Sequence, residues 1–113
     1  MPDLFNLLDK KIMATGSSYP LRPELIESNF YLYAATHNEQ YLKIAEKIMK
    51  DINKRCKVKC GYATMKDVSK KKELRDEMES FFLSETLKYL YLTFTEAEKY
   101  YASRASKLAN ILE

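Results

Sequence analysis

The sequence predicts an all-α fold built from helical hairpins, and three observations carry that prediction. Only two Gly and three Pro interrupt 113 residues, so breakers are few. Apolar residues recur at helical spacing through most of the chain. A seven-residue phrase also occurs twice: Glu27-Ser28-Asn29-Phe30-Tyr31-Leu32-Tyr33 and Glu85-Thr86-Leu87-Lys88-Tyr89-Leu90-Tyr91 share E-[S/T]-x-x-Y-L-Y at an offset of 58. Each copy opens a strongly apolar stretch. Repeated hairpins imply a helical array, either an open solenoid or a closed toroid.

Taken in order, Asp3 to Ala14 reads as a short amphipathic helix through Leu4, Leu7, Leu8 and Ile12. Thr15-Gly16-Ser17-Ser18 stops it, and Pro20 forbids its continuation. A longer helix starts at Arg22, with Pro23 in the first turn where its missing N–H costs nothing. Leu25, Ile26, Phe30, Tyr33 and Ala34 form its buried side, and His37-Asn38-Glu39 closes it. A partner helix runs from about Gln40 to Lys54 on Leu42, Ile44, Ala45, Ile48, Met49 and Ile52, completing a helical hairpin. Val58 to Val68 lacks helical period and reads as an extended link or short strand. A second hairpin is expected from a helix over Asp76–Phe94 and another over Glu96–Leu112, the latter carrying Tyr100, Tyr101, Ala105, Leu108 and Ile111. The helix from Phe81 to Phe94 is apolar around most of its circumference, which marks burial on nearly all sides. A pair of hairpins is too small to surround it. The chain therefore reads as part of a larger array, with Phe81, Phe82, Leu90 and Leu92 as a self-associating apolar patch when alone.

Composition narrows the function classes. A net charge of +3 with no broad basic cluster argues against nucleic acid. Lys70-Lys71-Lys72 reads as a solvated loop. There is no signal-like N-terminus and no apolar run of membrane-spanning length. Cys56 and Cys60 make a poor zinc signal without His or further Cys partners; the sequence leaves both free thiols and a bridge open.

The acids are the chemically informative residues. Glu24 and Glu27 lie three apart and share a face of one helix, with Tyr31 a turn further on. Acids in a first turn also suit the helix dipole with no further role. Glu85 sits inside an apolar run, where a carboxylate needs a cation, hydrogen bonds or a raised pKa. Such acids brought together would repel one another, and Arg22 or a hard cation such as calcium would relieve the repulsion. Carboxylates beside a sugar-sized cleft equally suit acid–base work on a glycosidic bond.

At these residues the chain resembles a known family. Tyr19-Pro20-Leu21-Arg22-Pro23-Glu24-Leu25-Ile26-Glu27-Ser28, Val58-Lys59-Cys60-Gly61-Tyr62-Ala63 and Met78-Glu79-Ser80-Phe81-Phe82-Leu83-Ser84-Glu85-Thr86-Leu87-Lys88-Tyr89-Leu90-Tyr91-Leu92 resemble glycoside hydrolase family 47, in register from about Pro2 to Phe94. Within it they are similar to the endoplasmic-reticulum degradation-enhancing α-mannosidase-like group. The resemblance implies a C-terminal portion of an (α/α)7 barrel over residues 1–94, followed by a divergent helix over 95–113. It also implies calcium-dependent, inverting removal of α-1,2-linked mannose from N-glycans of misfolded glycoproteins in the endoplasmic reticulum lumen. By the same resemblance Glu24 is the general base, Arg22 and Phe81 contact the sugar, and Glu27 and Glu85 surround calcium through water. The family's general acid, and the threonine that ligates calcium directly, have no counterpart among these residues. Thr95-Glu96 follows the apolar helix too closely to take the threonine's place.

Two readings follow. In one, the chain carries the base-and-calcium side of a mannosidase and is inactive alone. In the other, it is a non-catalytic helical module that binds glycan or a protein partner.

Overall fold

The computed structural model describes every residue except Met1, Asp3 and Glu113; for Ala14 and residues 108–112 it describes the backbone alone. Two short strands, β1 (Phe5–Asn6) and β2 (Lys11–Ile12), pair antiparallel and lead into a single 3-10 turn at Ala14–Gly16. Three long elements follow the turn at Leu21: α1 (Glu24–Thr36), α2 (Glu39–Arg55) and, after a link, α3 (Lys88–Leu112). The link holds β3 (Lys57–Val58) and β4 (Gly61–Tyr62), also an antiparallel pair. A π-helical turn, π1 (Phe82–Leu87), runs directly into α3.

The N-terminal segment departs from the expected helix, and local hydrogen bonding explains why. The Asn6 side chain accepts from the backbone N–H groups of Leu8 at 2.9 Å and Asp9 at 3.2 Å, and donates to the Asp9 carboxylate at 2.9 Å. Such Asx turns offer the backbone an alternative to helical bonds. Lys10 then takes a left-handed φ of 51°, closing the hairpin. Gly16 is required at its base, because a Cβ there would collide with the Leu4 side chain. The expected start at Asp3 lies outside the described residues.

The first helical hairpin is as expected, to within two residues at each end. His37 caps α1 in the left-handed region at φ 50°, its N–H donating to the Tyr33 carbonyl at 2.7 Å. Asn38 caps α2 by accepting from the Gln40 N–H at 3.0 Å. Asn29, buried in α1, donates to the Tyr41 carbonyl at 2.9 Å and locks the antiparallel pair. Within the hairpin Ile26, Tyr33, Ala45 and Ile52 are buried, whereas Leu25, Ile44 and Met49, expected inside, are exposed. The link is extended, as expected: Tyr19 and Met65 exchange backbone bonds at 2.9 and 3.0 Å, and Met65 also bridges to Leu74.

The second hairpin is absent. Helical structure begins at Phe81, not Asp76, and continues unbroken to Leu112. Between Phe94 and Glu96 only Thr95 intervenes, with no Gly, Pro or Asn to stop the helix. Thr93, which would favour a break, is accommodated by donating to the Tyr89 carbonyl at 2.7 Å. Tyr101 to Lys107 are exposed, and the expected burial of Leu108 and Ile111 lies outside the described side chains.

α3 lies parallel to α1. The contacts ascend together along α3 and along the stretch Leu21–Glu39 that contains α1: Thr86 with Leu21, Tyr89 with Glu27, Glu96 with His37, Tyr101 with Glu39. Phe82, Thr86, Tyr89, Leu90, Thr93 and Ala97 form the buried stripe of π1–α3. They join Leu21, Ile26, Ala45, Ile52, Cys56 and Met65 in the core. Phe82 and Leu90, expected as an exposed patch, are thus core residues, while Phe81 and Leu92 are half-buried. The apolar surface left open carries Leu83 and Tyr91 of π1–α3 and Leu25, Tyr31 and Leu32 of α1. A radius of gyration of 17.2 Å exceeds the roughly 13 Å of a closed domain of this length, because the outer half of α3 extends past the core with Tyr101 to Lys107 exposed. No helix among the described residues is long and apolar enough to cross a membrane.

Thr86→Val removes the buried donor to the Leu21 carbonyl and should destabilise by about 1–3 kcal/mol. Thr93→Val, whose partner carbonyl is already within the helix ladder, should cost less. Urea midpoints of the two variants check this ordering. Alkaline pH tests the packing of the tyrosines. Burial raises Tyr19 and Tyr33 above the ordinary value of 10.0. The bond to Glu27 does the same for Tyr89, and burial with Glu39 for Tyr101. The folded state therefore holds these protons longer than the unfolded chain. Their contribution is complete below about pH 10 and is lost as pH rises further. Phenolate absorbance should show Tyr19, Tyr33 and Tyr89, all held in the folded packing, ionising only with unfolding, while exposed Tyr101 ionises without it. Ionisation of all four near pH 10 in the folded chain would contradict the packing.

Candidate functional site

Because α1 and π1–α3 run parallel, their N-terminal ends lie at the same end of the molecule. Four of the five residues singled out by the sequence belong to those ends. Glu24 and Glu27 occupy the first turn of α1, Glu85 lies in π1, and Phe81 immediately precedes it. Arg22 is two residues upstream of α1. Glu24 and Arg22 are exposed, while Glu27, Glu85 and Phe81 are half-buried. Carboxylates at helix N-termini are favoured by unpaired backbone N–H groups and the aligned peptide dipoles.

The turn that presents Arg22 and Glu24 is strained. Leu21 is fully buried at φ 63°, a conformation that costs a branched L-residue free energy. Thr86 Oγ1 donates to its carbonyl at 2.6 Å. With the Leu21 side chain committed to the core, Arg22 and Glu24 fall on the surface beside it.

Glu27 is held differently. The Tyr89 hydroxyl donates to its Oε1 at 2.7 Å. Tyr89 also packs in an aromatic cluster with Phe30 and Tyr31, at ring distances of 5.9 and 6.1 Å. Tyr31 and Tyr89 occupy the same position of the repeated phrase, so the two copies meet through their tyrosines. Sequence reasoning flagged the repeat but missed Tyr89 as the partner of Glu27. The matched phrase position was the available signal. The π-helical turn around Glu85 left no comparable trace in the sequence, although such widened turns often occur at functional sites.

A cavity of about 270 Å³ opens between the N-terminal end of α1 and the C-terminal half of α2. Tyr19, Arg22, Glu24, Asp51 and Arg55 supply its polar lining, with Ile48, Ile52, Met65 and Val68 among the apolar residues. Burial, then the nearby Cys56 and Glu24, raises Tyr19, and burial raises the Cys56 thiol, so both stay protonated at neutral pH. Cys56 and Cys60 are free thiols. The structure therefore brings Arg22 and Glu24 together on one cavity, while Glu27, Glu85 and Phe81 are not among its lining residues.

An exposed carboxylate on a cavity edge can accept a proton from water. The acids do not, by themselves, make a cation site. Among the described residues no three His, Cys, Asp or Glu side chains gather closely enough to hold a metal ion. The residues present do not fit a complete calcium site.

Comparison with known proteins identifies the family. The sequence profile of glycosyl hydrolase family 47 matches residues 6–108. The chain is 47% identical over 94 residues to the human ER degradation-enhancing alpha-mannosidase-like protein 2, covering 83% of this chain and 16% of that protein. It is 49% identical over 85 residues to the Saccharomyces cerevisiae ER degradation-enhancing alpha-mannosidase-like protein 1, covering 75% and 11% respectively. The fold is similar to a solved alpha-1,2-mannosidase from Trichoderma reesei, with a TM-score of 0.67 and 35% identity. That match covers 71% of this chain and 17% of the mannosidase. The chain thus spans about a sixth or less of the length of these relatives, and it belongs to glycosyl hydrolase family 47.

Proposed function

We propose that this chain forms the base-bearing part of an inverting α-1,2-mannosidase domain that trims N-glycans of misfolded glycoproteins in the endoplasmic reticulum. The observation that carries the reading is Glu24, exposed beside Arg22 at the edge of a cavity and at the N-terminal end of α1. Family membership and the names of the relatives supply the substrate class and the compartment.

In this reading Glu24 takes a proton from the attacking water, on the sugar face opposite the leaving group. Inversion requires a second carboxyl about 6.5–9.5 Å away as general acid, and we assign that group to another part of the domain. Arg22 and Phe81 orient the mannose. In the complete domain Glu27, steadied by Tyr89, and Glu85 would help hold a calcium ion, which would supply a site for the water and the sugar hydroxyls. Its direct ligands would come from other parts of the domain, so calcium should bind the complete domain and not this chain alone. The uncovered apolar face of α1 and α3 packs against further helices of an (α/α)7 barrel. Residues 1–94 are assigned to that barrel, and α3 continues past them as one helix to Leu112.

Transplanting residues 6–108 in place of the matching segment of the Trichoderma reesei enzyme tests the roles directly. The chimera should release mannose from high-mannose glycans. Glu24→Gln should lower its kcat by about 10²–10⁴ with little change in KM, the usual loss on removing a general base. Full activity in Glu24→Gln would sink the assignment. The isolated chain should release no mannose, and its melting temperature should not respond to calcium. Mannose release by the isolated chain that Glu24→Gln abolishes would overturn its inertness. Glycan binding insensitive to chelation and to Glu24→Gln would identify a binding module in place of a catalytic one.

A further inference from the structure

The β1–β2 hairpin lies outside the acid-rich end and is not used by the proposed chemistry. Its turn carries the most exposed large apolar side chains among the described residues, Leu7 at 81% and Leu8 at 94%. The turn is ordered by its own polar groups, since Asn6 receives the N–H groups of Leu8 and Asp9. The two leucines are therefore held in water by a built turn.

Lysines lie on the same part of the chain. Lys10 and Lys11 follow the leucines directly. The Val68 N–H donates to the Ser17 carbonyl at 2.8 Å, drawing the loop Lys66–Lys72 against the base of the hairpin. Phe5, Lys10, Lys11, Asp67 and Ser69 border one shallow surface depression there. Arg55 fixes this loop by donating to the carbonyls of Val68 at 2.6 Å and Lys70 at 3.0 Å. Asp9 and Asp67 accept hydrogen bonds from Asn6 and Ser69 and keep their charge, while Glu73 pairs with Lys70 at 3.2 Å, so the free lysines outnumber the two remaining carboxylates. Hydrogen bonds from Ser69 keep Asp67 below the usual carboxylate range. Lys10, Lys11, Lys71 and Lys72 are exposed with no acidic partner among the described residues.

We infer that this face docks on an anionic membrane surface, Leu7 and Leu8 entering the acyl boundary and the lysines meeting headgroup phosphates. Neither signal suffices alone, because a small apolar wedge binds weakly and surface charge is screened by salt; reversible anchoring takes both. A second copy of the chain is a poorer occupant, since it would bring like-charged lysines together.

Flotation of the full chain with vesicles of phosphatidylcholine, with and without phosphatidylserine, tests this. The chain should partition onto the anionic vesicles and leave them as salt rises. Leu7→Ser with Leu8→Ser should lower partitioning at least about tenfold. Lys71→Glu with Lys72→Glu should lower it by about fivefold or more for each lysine lost. All these side chains are exposed, so circular dichroism should be unchanged, and Lys10→Glu with Lys11→Glu serves as a second charge variant. Absence of binding to anionic vesicles, equal binding to neutral ones, or unchanged binding by the serine variant would overturn the inference. So would dimerisation that the serine variant abolishes without any vesicle binding.

Discussion

The hydrogen bond from Thr86 to the Leu21 carbonyl, buried between two segments 65 residues apart, is the constraint on which the acid-rich end depends. Leu21 is in a left-handed conformation that costs about 1–3 kcal/mol for a non-glycine residue. Burial of its side chain and the Thr86 bond offset that cost. The same bond fixes the axial register of α3 against α1. Once Thr86 meets Leu21, a roughly constant offset brings Tyr89 to Glu27 and Glu96 to His37. The parallel pairing and the strained turn are therefore one feature, and together they place both helix N-termini at one end.

This arrangement accounts for the repeated phrase better than a second hairpin does. The two copies are faces of one helix–helix interface. The Ser or Thr after each glutamate differs in burial, Ser28 exposed and Thr86 fully buried, because only the second must cross to the other helix. The tyrosines converge in one aromatic cluster, and one of them holds the glutamate of the opposite copy. A carboxylate satisfied by a fixed hydroxyl tolerates partial burial without a cation beside it.

Much of this was legible in the sequence, for physical reasons that differ by element. The α1–α2 hairpin declared itself through its apolar period and the His37-Asn38 boundary, where local chemistry and packing agree. The N-terminal segment misled because its leucines keep helical spacing, yet Asn6 captures the backbone first and leaves Leu7 and Leu8 in solvent. The end of α3 misled because the repeat suggested a break that no residue enforces. Leu25 and Ile44 fit the apolar pattern but face outward, since periodicity marks an apolar stripe and not what covers it. Arg22, Glu24, Glu27, Glu85 and Phe81, the residues of the proposed site, are marked by motif, whereas the Tyr89 contact and the π-helical turn arise only from tertiary packing.

The parallel register is most directly tested by pulsed electron paramagnetic resonance on two doubly labelled chains. One carries spin labels at Ser28 and Ser84, the other at Ser28 and Ser103, all exposed positions. With Tyr89 beside Glu27, a continuous helix rising about 1.5 Å per residue puts Ser84 about 9 Å from the level of Ser28 on one side and Ser103 about 20 Å on the other, so the second distance is longer than the first by about 10 Å. Equal distances, or a shorter span to Ser103, would show that α3 folds back after Phe94, and would contradict the parallel pairing on which the shared acid-rich end rests.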